Sequence, residues 1–137
     1  MTLPILFSIL LVYNEIKGLS IHFLYVMINL VVKMKILSKE KKLTVKVCMS
    51  FQDRFFGFMR KKKQDYGLFF PKCHSIHTCF MKFPVDVYIV DYNNIILYCK
   101  KQVKPWRIVF YKKGYGTYEF PVGLTDFQVG ERIKQTN

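Results

Sequence analysis

The sequence after residue 42 alternates between apolar and polar positions. Apolar side chains occupy every second position of the first segment, Leu43, Val45, Val47 and Met49, and the positions between them are Thr44, Lys46 and Cys48. A period of two places successive side chains on opposite faces of an extended chain. The segment is therefore predicted to be a half-buried strand.

A short helix is predicted directly after this strand. Ser50 precedes the segment FQDRFFGFMRKKK, and Asp53 follows Ser50 by three positions. Serine is a favoured N-cap residue, and an acidic residue in the first turn complements the helix dipole. The apolar positions Phe51, Phe55, Phe58 and Met59 recur with helical spacing. They predict a helix with an apolar stripe, the pattern of a helix that packs on a core.

Short strands dominate the rest of the chain. The candidate segments are GLFFP (67–71), VDVYIVD (85–91), IILYCKK (95–101), PWRIVFY (105–111), GYGTYEFP (114–121) and a last strand that Gly130 precedes. The pair Asn93–Asn94 suits a tight hairpin turn between two of them, because asparagine tolerates positive φ. Many short strands with one or two short helices predict a mainly β fold, a β-rich α+β domain. We expect a compact antiparallel sheet of sandwich or barrel type.

Residues 1–33 differ in kind from this domain. They hold two apolar runs, 3–13 and 19–32, and each is shorter than the roughly 18–20 apolar residues that span a membrane. Three interpretations are open: a membrane-associated segment, a pair of helices that pack on the domain, or a translation start assigned too early. Met34 begins an ordinary-looking protein start, MKILSKEKKLTVKV. The predicted organisation is therefore an apolar extension over 1–33, for which a helical structure is one interpretation, and a single domain over 34–137.

Charge and cysteine content narrow the class of protein. The formal net charge of +13 suits an acidic partner such as nucleic acid, and the segment 104–118 mixes cations with aromatic side chains. Solvated lysines that favour solubility and an alternating hairpin explain the same features without such a partner. Nucleic acid is therefore an alternative rather than the first expectation.

Four cysteines without a CxxC pair predict free thiols in a reducing compartment, and hence a cytoplasmic protein unless residues 1–33 attach it to a membrane.

The segment CHSIHTCFMKFPVDV (73–87) contains two histidines, two cysteines, a methionine and an aspartate. Side chains of these types can bind a metal ion or take part in catalysis. If residues 73–81 form one strand, alternation places Cys73, Ser75, His77, Cys79 and Met81 on one face. Side chains two apart on a strand can share a metal ion, and zinc would need further N, S or O donors. The conservative interpretation is that the sulfur-containing side chains fill a core and that the histidine is hydrogen-bonded within it.

Asp86 lies in an otherwise apolar strand segment, and a buried carboxylate requires a partner. Its candidate partners are His77, Arg54, Arg107 or backbone amides. The functional interpretation pairs Asp86 with His77 in acid–base chemistry or in orienting a ligand. In the structural interpretation, Asp86 forms a polar contact between the strand and the helix that stabilises the fold.

The order of several segments resembles a family of bacteria and archaea, the domain of unknown function 192. The resemblance rests on Arg54 with GFM (57–59), GLFFPKCHSIHTCFMKFPVDVYIVD (67–91), KPWRI (104–108), YEFPVG (118–123) and VGERI (129–133). It implies a small, sandwich-like β domain over about residues 43–133 and supplies no established activity. The sequence departs from the family pattern at Phe58, Cys79 and Glu131, so Cys79 is not expected to be a ligand throughout the family.

These observations favour a non-catalytic ligand-binding or accessory domain with a semi-polar pocket. The predicted ligand-binding residues are Arg54, Ser75, His77, Met81 and Asp86. The alternative is a metal-dependent or Cys/His hydrolase-like enzyme at the same place. The sequence identifies no cofactor and no partner, and it assigns no catalytic or metal-binding role to a particular residue.

Overall fold

Nine strands and one helix form between residues 33 and 136, which are the residues that the computed structural model describes. In chain order they are β1 (Lys33–Ser38), β2 (Lys41–Val47), α1 (Phe51–Phe56), β3 (Gly67–Pro71), β4 (Ser75–His77), β5 (Val85–Val90), β6 (Ile96–Val103), β7 (Ile108–Phe110), β8 (Gly116–Pro121) and β9 (Lys134–Thr136). The expectations for residues 1–32, including an early translation start and membrane association, lie outside the described residues.

Seven of the strands form one mixed sheet with the order β6-β5-β8-β3-β2-β1-β9. Neighbouring strands pair antiparallel, except that β2 and β3 are parallel. The connection between these two carries α1, as a parallel pair requires a crossover. Strands β4 and β7 form a separate two-stranded antiparallel sheet.

The two edges of the large sheet meet. Ile95, just before β6, forms an antiparallel bridge with Arg132, just before β9. The amide of Ile96 donates to the carbonyl of Glu131 at 2.9 Å, and the amide of Ile133 donates to the carbonyl of Asn94 at 2.9 Å. The sheet therefore curls into a nearly closed barrel, which leaves little of either edge free.

Each face of the sheet carries its own hydrophobic core. The barrel core contains Ile36, Val45, Val47, Phe69, Tyr88, Val90, Ile96, Tyr118, Phe120, Phe127 and Ile133. The flank core, on the opposite face, contains Cys48, Phe58, Leu68, Phe70, Ile76, Met81, Phe83, Val85, Val87, Ile89, Val103 and Val109. Strand β5 is buried along its whole length because its alternate side chains enter the two cores in turn.

The structure confirms the β-rich fold class and corrects two local expectations. Residues 73–81 are not one strand, because only Ser75–His77 pairs with β7. Helix α1 begins as predicted, with the Ser50 hydroxyl accepting the Asp53 amide at 3.1 Å, but it buries none of its residues. It ends at Gly57, whose φ of 44° is a backbone conformation that glycine adopts readily, and Phe58 enters the flank core only after that turn.

Candidate functional site

A cavity of about 100 Å³ lies between α1, the β4 segment and the large sheet, and we call it the helix cavity. Its lining residues are Arg54, Phe55, Phe56, Gly57, Phe58, Met59, Phe70, Cys73, Ser75, Ile76, His77, Cys79, Met81 and Glu119. Four of the five ligand-binding residues predicted from the sequence are among them: Arg54, Ser75, His77 and Met81. Mostly apolar walls with a few polar groups are the usual composition of a small-molecule site.

Helix α1 presents its polar side chains to the domain. The Arg54 guanidinium donates to the carbonyl oxygen of Pro71 at 2.7 Å, and the Lys46 ammonium contacts the Asp53 carboxylate at 2.6 Å. These two contacts orient the helix so that Phe51 and Phe55 face outward. Arg54 is thereby held at the cavity, and within residues 33–136 no carboxylate forms an ion pair with it.

The helix cavity brings together the side chains that alternation placed on one face of residues 73–81, and Ile76, which was expected on the other face, lines it as well. Cys73, Ser75, His77, Cys79 and Met81 all line the helix cavity. The backbone amide of Cys79 donates to Nδ1 of His77 at 3.3 Å, and an imidazole that accepts at Nδ1 carries its proton at Nε2. His77 therefore offers a hydrogen-bond donor at Nε2, while His74 is exposed and outside the cavity.

Glu119 is the polar residue of the helix cavity that sequence reasoning missed. It lies on β8, where its backbone pairs with Leu68 on β3 and with Val87 on β5. Only 3% of its surface is exposed. Burial raises the pKa of Glu119 to about 8, so its carboxyl group is mainly protonated at neutral pH. The sequence contains a signal that could have identified Glu119, namely a carboxyl group between two aromatic residues in a predicted strand. A signal of the same kind drew attention to Asp86.

Exposed apolar side chains surround the cavity on its outer side. Phe51 is 81% exposed, its ring lies 6.1 Å from that of Phe55, and the Phe55 ring lies 6.1 Å from that of His77. Across the small sheet, His77 pairs with Ile108 and Ser75 pairs with Phe110. Paired residues in antiparallel strands project to the same side, so these two exposed side chains border the same region. We call Phe51, Phe55, Phe56, Ile108 and Phe110 the apolar rim.

Asp86 does not lie in this site. On β5 it pairs with Phe120 and faces the barrel-core side of the sheet, and it lines a wider, open depression together with Cys99, Lys101 and Asp126. The expectation that Asp86 shares a pocket with His77 is therefore wrong. The sequence placed them together because they lie close along the chain, whereas alternation along β5 and the turn between the two strands put them on opposite faces.

The partner of Asp86 is one of the backbone amides considered from the sequence. Its Oδ1 accepts the Gln102 amide at 2.8 Å. The register of β5 and β6 shifts at this point, from Val85 opposite Val103 to Val87 opposite Lys100, so β6 carries a bulge. Gln102 has a φ of 51° there. The carboxylate of Asp86 thus satisfies a bulged backbone, which is a structural role.

The cysteines are free thiols in varied surroundings. Cys73 Sγ lies 2.9 Å from the carbonyl oxygen of Ser75, and burial raises the pKa of Cys48 to about 12. A thiol with a raised pKa is a poor nucleophile at neutral pH. Over residues 33–136, no three or more histidine, cysteine, aspartate and glutamate side chains converge in a way that could hold a metal ion.

Two solved structures share the fold. One is a proposed transcription regulator from Sinorhizobium meliloti 1021, with a TM-score of 0.65 and 15% identity, covering 77% of this chain and 95% of that one. The other is a protein of unknown function from Novosphingobium aromaticivorans DSM 12444, with a TM-score of 0.62 and 12% identity, covering 76% of this chain and 84% of that one. At these identities the similarity establishes the fold alone.

Sequence comparison identifies the family. No curated protein matches the chain. In the described part of the chain, no helix is both long enough and apolar enough to cross a membrane. The model of the family DUF192, described as an uncharacterized ACR, matches residues 32–134, the region that forms the barrel, α1 and the small sheet. The chain therefore belongs to the DUF192 family.

Proposed function

We propose that the domain is a non-catalytic binding domain whose ligand occupies the helix cavity. The observation that carries this proposal is the composition of the cavity. Its apolar walls, which include Phe58, Phe70 and Met81, contain three convergent polar groups, Arg54, His77 and Glu119. A buried carboxyl group is costly in an apolar setting unless something offsets the loss of water, and a bound ligand does so.

The surroundings of the cavity support the same proposal. Scattered exposed apolar residues are ordinary on a protein surface, but here Phe51, Phe55 and Phe56 contact one another, and Phe55 and Phe56 also line the cavity. At about 100 Å³, the enclosed part of the cavity holds on the order of four non-hydrogen atoms, since an engineered cavity of roughly 150 Å³ holds the six carbon atoms of benzene. The ligand is therefore a small molecule or one end of a larger one that continues over the rim.

The contacts of Cys73 and His77 favour a binding function over the hydrolase-like alternative. A Cys–His nucleophile needs a thiol that an adjacent base can deprotonate. In the structure, Cys73 Sγ is close to a backbone carbonyl and His77 Nδ1 accepts a backbone amide. Neither contact activates a thiolate, and both hold the side chains that line the cavity in place.

The first prediction concerns His77. In an NMR titration with uncharged compounds of about six non-hydrogen atoms, we expect resonances of Gly57, Cys73 and His77 to shift. His77→Ala should weaken that binding about tenfold, because one hydrogen bond in a desolvated site is worth about 1–1.5 kcal/mol.

The matched control is His74→Ala, since His74 lies three positions away and outside the cavity. This control should bind as the unchanged protein does. The proposal would be contradicted if the compounds bound without shifting a resonance of any cavity residue. It would also be contradicted if the two histidine variants lost affinity to the same extent. Thermal unfolding of both variants separates loss of the ligand from loss of the fold.

A further inference from the structure

Glu119 is the most buried polar residue that lines the helix cavity. Its strand β8 is central in the sheet, between β3 and β5, and the neighbouring side chains of Leu68 and Val87 belong to the flank core. The strands fix its backbone on both sides, and its side chain reaches the cavity from the sheet rather than from a loop. A polar group on such a rigid element keeps a defined position relative to a ligand.

The carboxyl group has no internal partner among residues 33–136. Burial is the only cause of the raised pKa of Glu119, and no ion pair of the described residues includes its carboxyl group. The titratable groups around the same cavity are Arg54 from α1 and Cys73, His77 and Cys79 from the β4 segment, with Cys48 near the carboxyl in the flank core. None of these five groups forms a bond to it.

We propose that Glu119 selects the ligand by donating a hydrogen bond, as a carboxylic acid, to an uncharged acceptor such as a carbonyl group on a small apolar molecule. This inference rests on the proposed function. The one cation that lines the cavity, the Arg54 guanidinium, already donates to the carbonyl oxygen of Pro71 at 2.7 Å. A carboxylate ligand would have to leave water for walls that are otherwise mostly apolar. A ketone, an ester or an amide therefore fits better than an anion.

The protonation state of Glu119 makes the inference testable. Burial raises its pKa to about 8, well above the ordinary value of 4.5. The donor is therefore present below about pH 8 and is lost as the pH rises through that value. A carbonyl ligand should bind at neutral pH and leave at alkaline pH, because the ionised carboxylate only accepts hydrogen bonds.

The experiment uses three probes with one branched skeleton: 3-methylbutan-2-one, isobutyrate and 3-methylbutan-2-amine. NMR titrations of the full chain at about pH 7 and about pH 9.5 give the affinities. We expect the ketone to bind best at about pH 7 and at least about tenfold more weakly at about pH 9.5, the extent of deprotonation that a pKa near 8 implies. The cationic amine should gain affinity over the same interval, because the carboxylate becomes its counter-ion.

Variants isolate the carboxyl group. Glu119→Gln should bind the ketone within about threefold of the unchanged protein and lose the pH dependence, since its amide donates at every pH. Glu119→Leu should lose ketone binding about tenfold at about pH 7. The exposed residue Glu131 supplies the matched control, and Glu131→Gln should leave both affinity and pH profile unchanged. The cysteines and His77 remain in all variants, so their titration cannot account for a difference.

The outcomes separate the two proposals. If none of the three probes shifts a cavity resonance, the proposed function and this inference both fail. If a probe binds and depends on His77, but binding is the same at both pH values or its pH dependence survives in Glu119→Gln, only this inference is overturned. Stronger binding of isobutyrate than of the ketone at about pH 7 would also overturn it.

Discussion

Burial of Glu119 makes the free energy of unfolding depend on pH. Its pKa is about 8 in the folded protein and 4.5 in an ordinary environment. Between these values the folded state holds a proton that the unfolded state releases, so stability falls as the pH rises from about 4.5 to about 8 and then levels off. We expect the free energy of unfolding of the unchanged protein to drop relative to that of Glu119→Gln by roughly 3–5 kcal/mol over this range.

Urea unfolding of both proteins at intervals between about pH 5 and about pH 9 measures that difference directly. Other titrating groups are common to the two proteins and cancel. A constant difference across the range would mean that Glu119 is ionised in the folded state, and a neutral donor in the cavity would then be ruled out.

Single residues show where sequence reasoning reaches its limit. Alternation placed Ser75, His77 and Met81 on one face, and all three line the helix cavity, although only Ser75–His77 is a strand. It did not find Glu119, which reaches the same cavity from a strand more than forty positions further along the chain. Only the order of strands in the sheet shows that Glu119 lies beside the β4 segment, and no local sequence pattern specifies that order.

At the scale of elements, the bulge of β6 depends on Asp86. Its carboxylate accepts the Gln102 amide at 2.8 Å and is 4% exposed. Asp86→Ala should lower the free energy of unfolding by about 1–3 kcal/mol, because the bulged amide loses its partner. Ligand binding in the helix cavity should persist, since Asp86 faces the other side of the sheet.

Denaturant unfolding and the ketone titration check these two expectations. Asp86→Asn is the matched control, because its side-chain oxygen can still accept, and it should be markedly less destabilising than the alanine variant. Loss of ketone binding in a folded Asp86→Ala protein would contradict the separation of the two sites.

Helix α1 illustrates a prediction that was right in position and wrong in orientation. Its N-cap, Ser50, could be read from the sequence, because capping is a local interaction. Its phenylalanines were expected to pack on the core, but Arg54 and Asp53 hold the opposite face against the domain through Pro71 and Lys46. Those partners lie on β3 and β2, so tertiary contacts overrode the helical pattern.

At the scale of the whole molecule, β1 connects the barrel to its last strand. The sequence predicted many short strands and a barrel-like sheet, and the structure adds the parallel pair β2–β3 and the closure between β6 and β9. β1 lies between β2 and β9, its register with β2 includes Met34 opposite Val45, and Ile36 is fully buried. The domain therefore needs β1, and a chain that begins at Met34 keeps all of this strand except Lys33.

We expect a chain that begins at Met34 to unfold cooperatively and one that begins at Lys41 to lack a cooperative transition. The shorter chain lacks β1, so it loses the pairing of β1 with β2 and β9. It also loses the burial of Ile36, worth about 1.5–3 kcal/mol by itself. Circular dichroism during heating distinguishes the two outcomes. Absence of a transition in the Met34 chain would show that residues before β1 are required for folding.

The pairing of β1 with β9 also shapes how the molecule reaches its native state. Lys35 lies opposite Thr136, so the first and last strands of the described chain become neighbours only when nearly every intervening residue is available. On the ribosome, β1 can pair with β2 as soon as both emerge, but its pairing with β9 must wait for the end of the domain. Sheets built from such distant pairings fold slowly, typically in milliseconds to seconds, and their unpaired strands are exposed to neighbouring chains meanwhile.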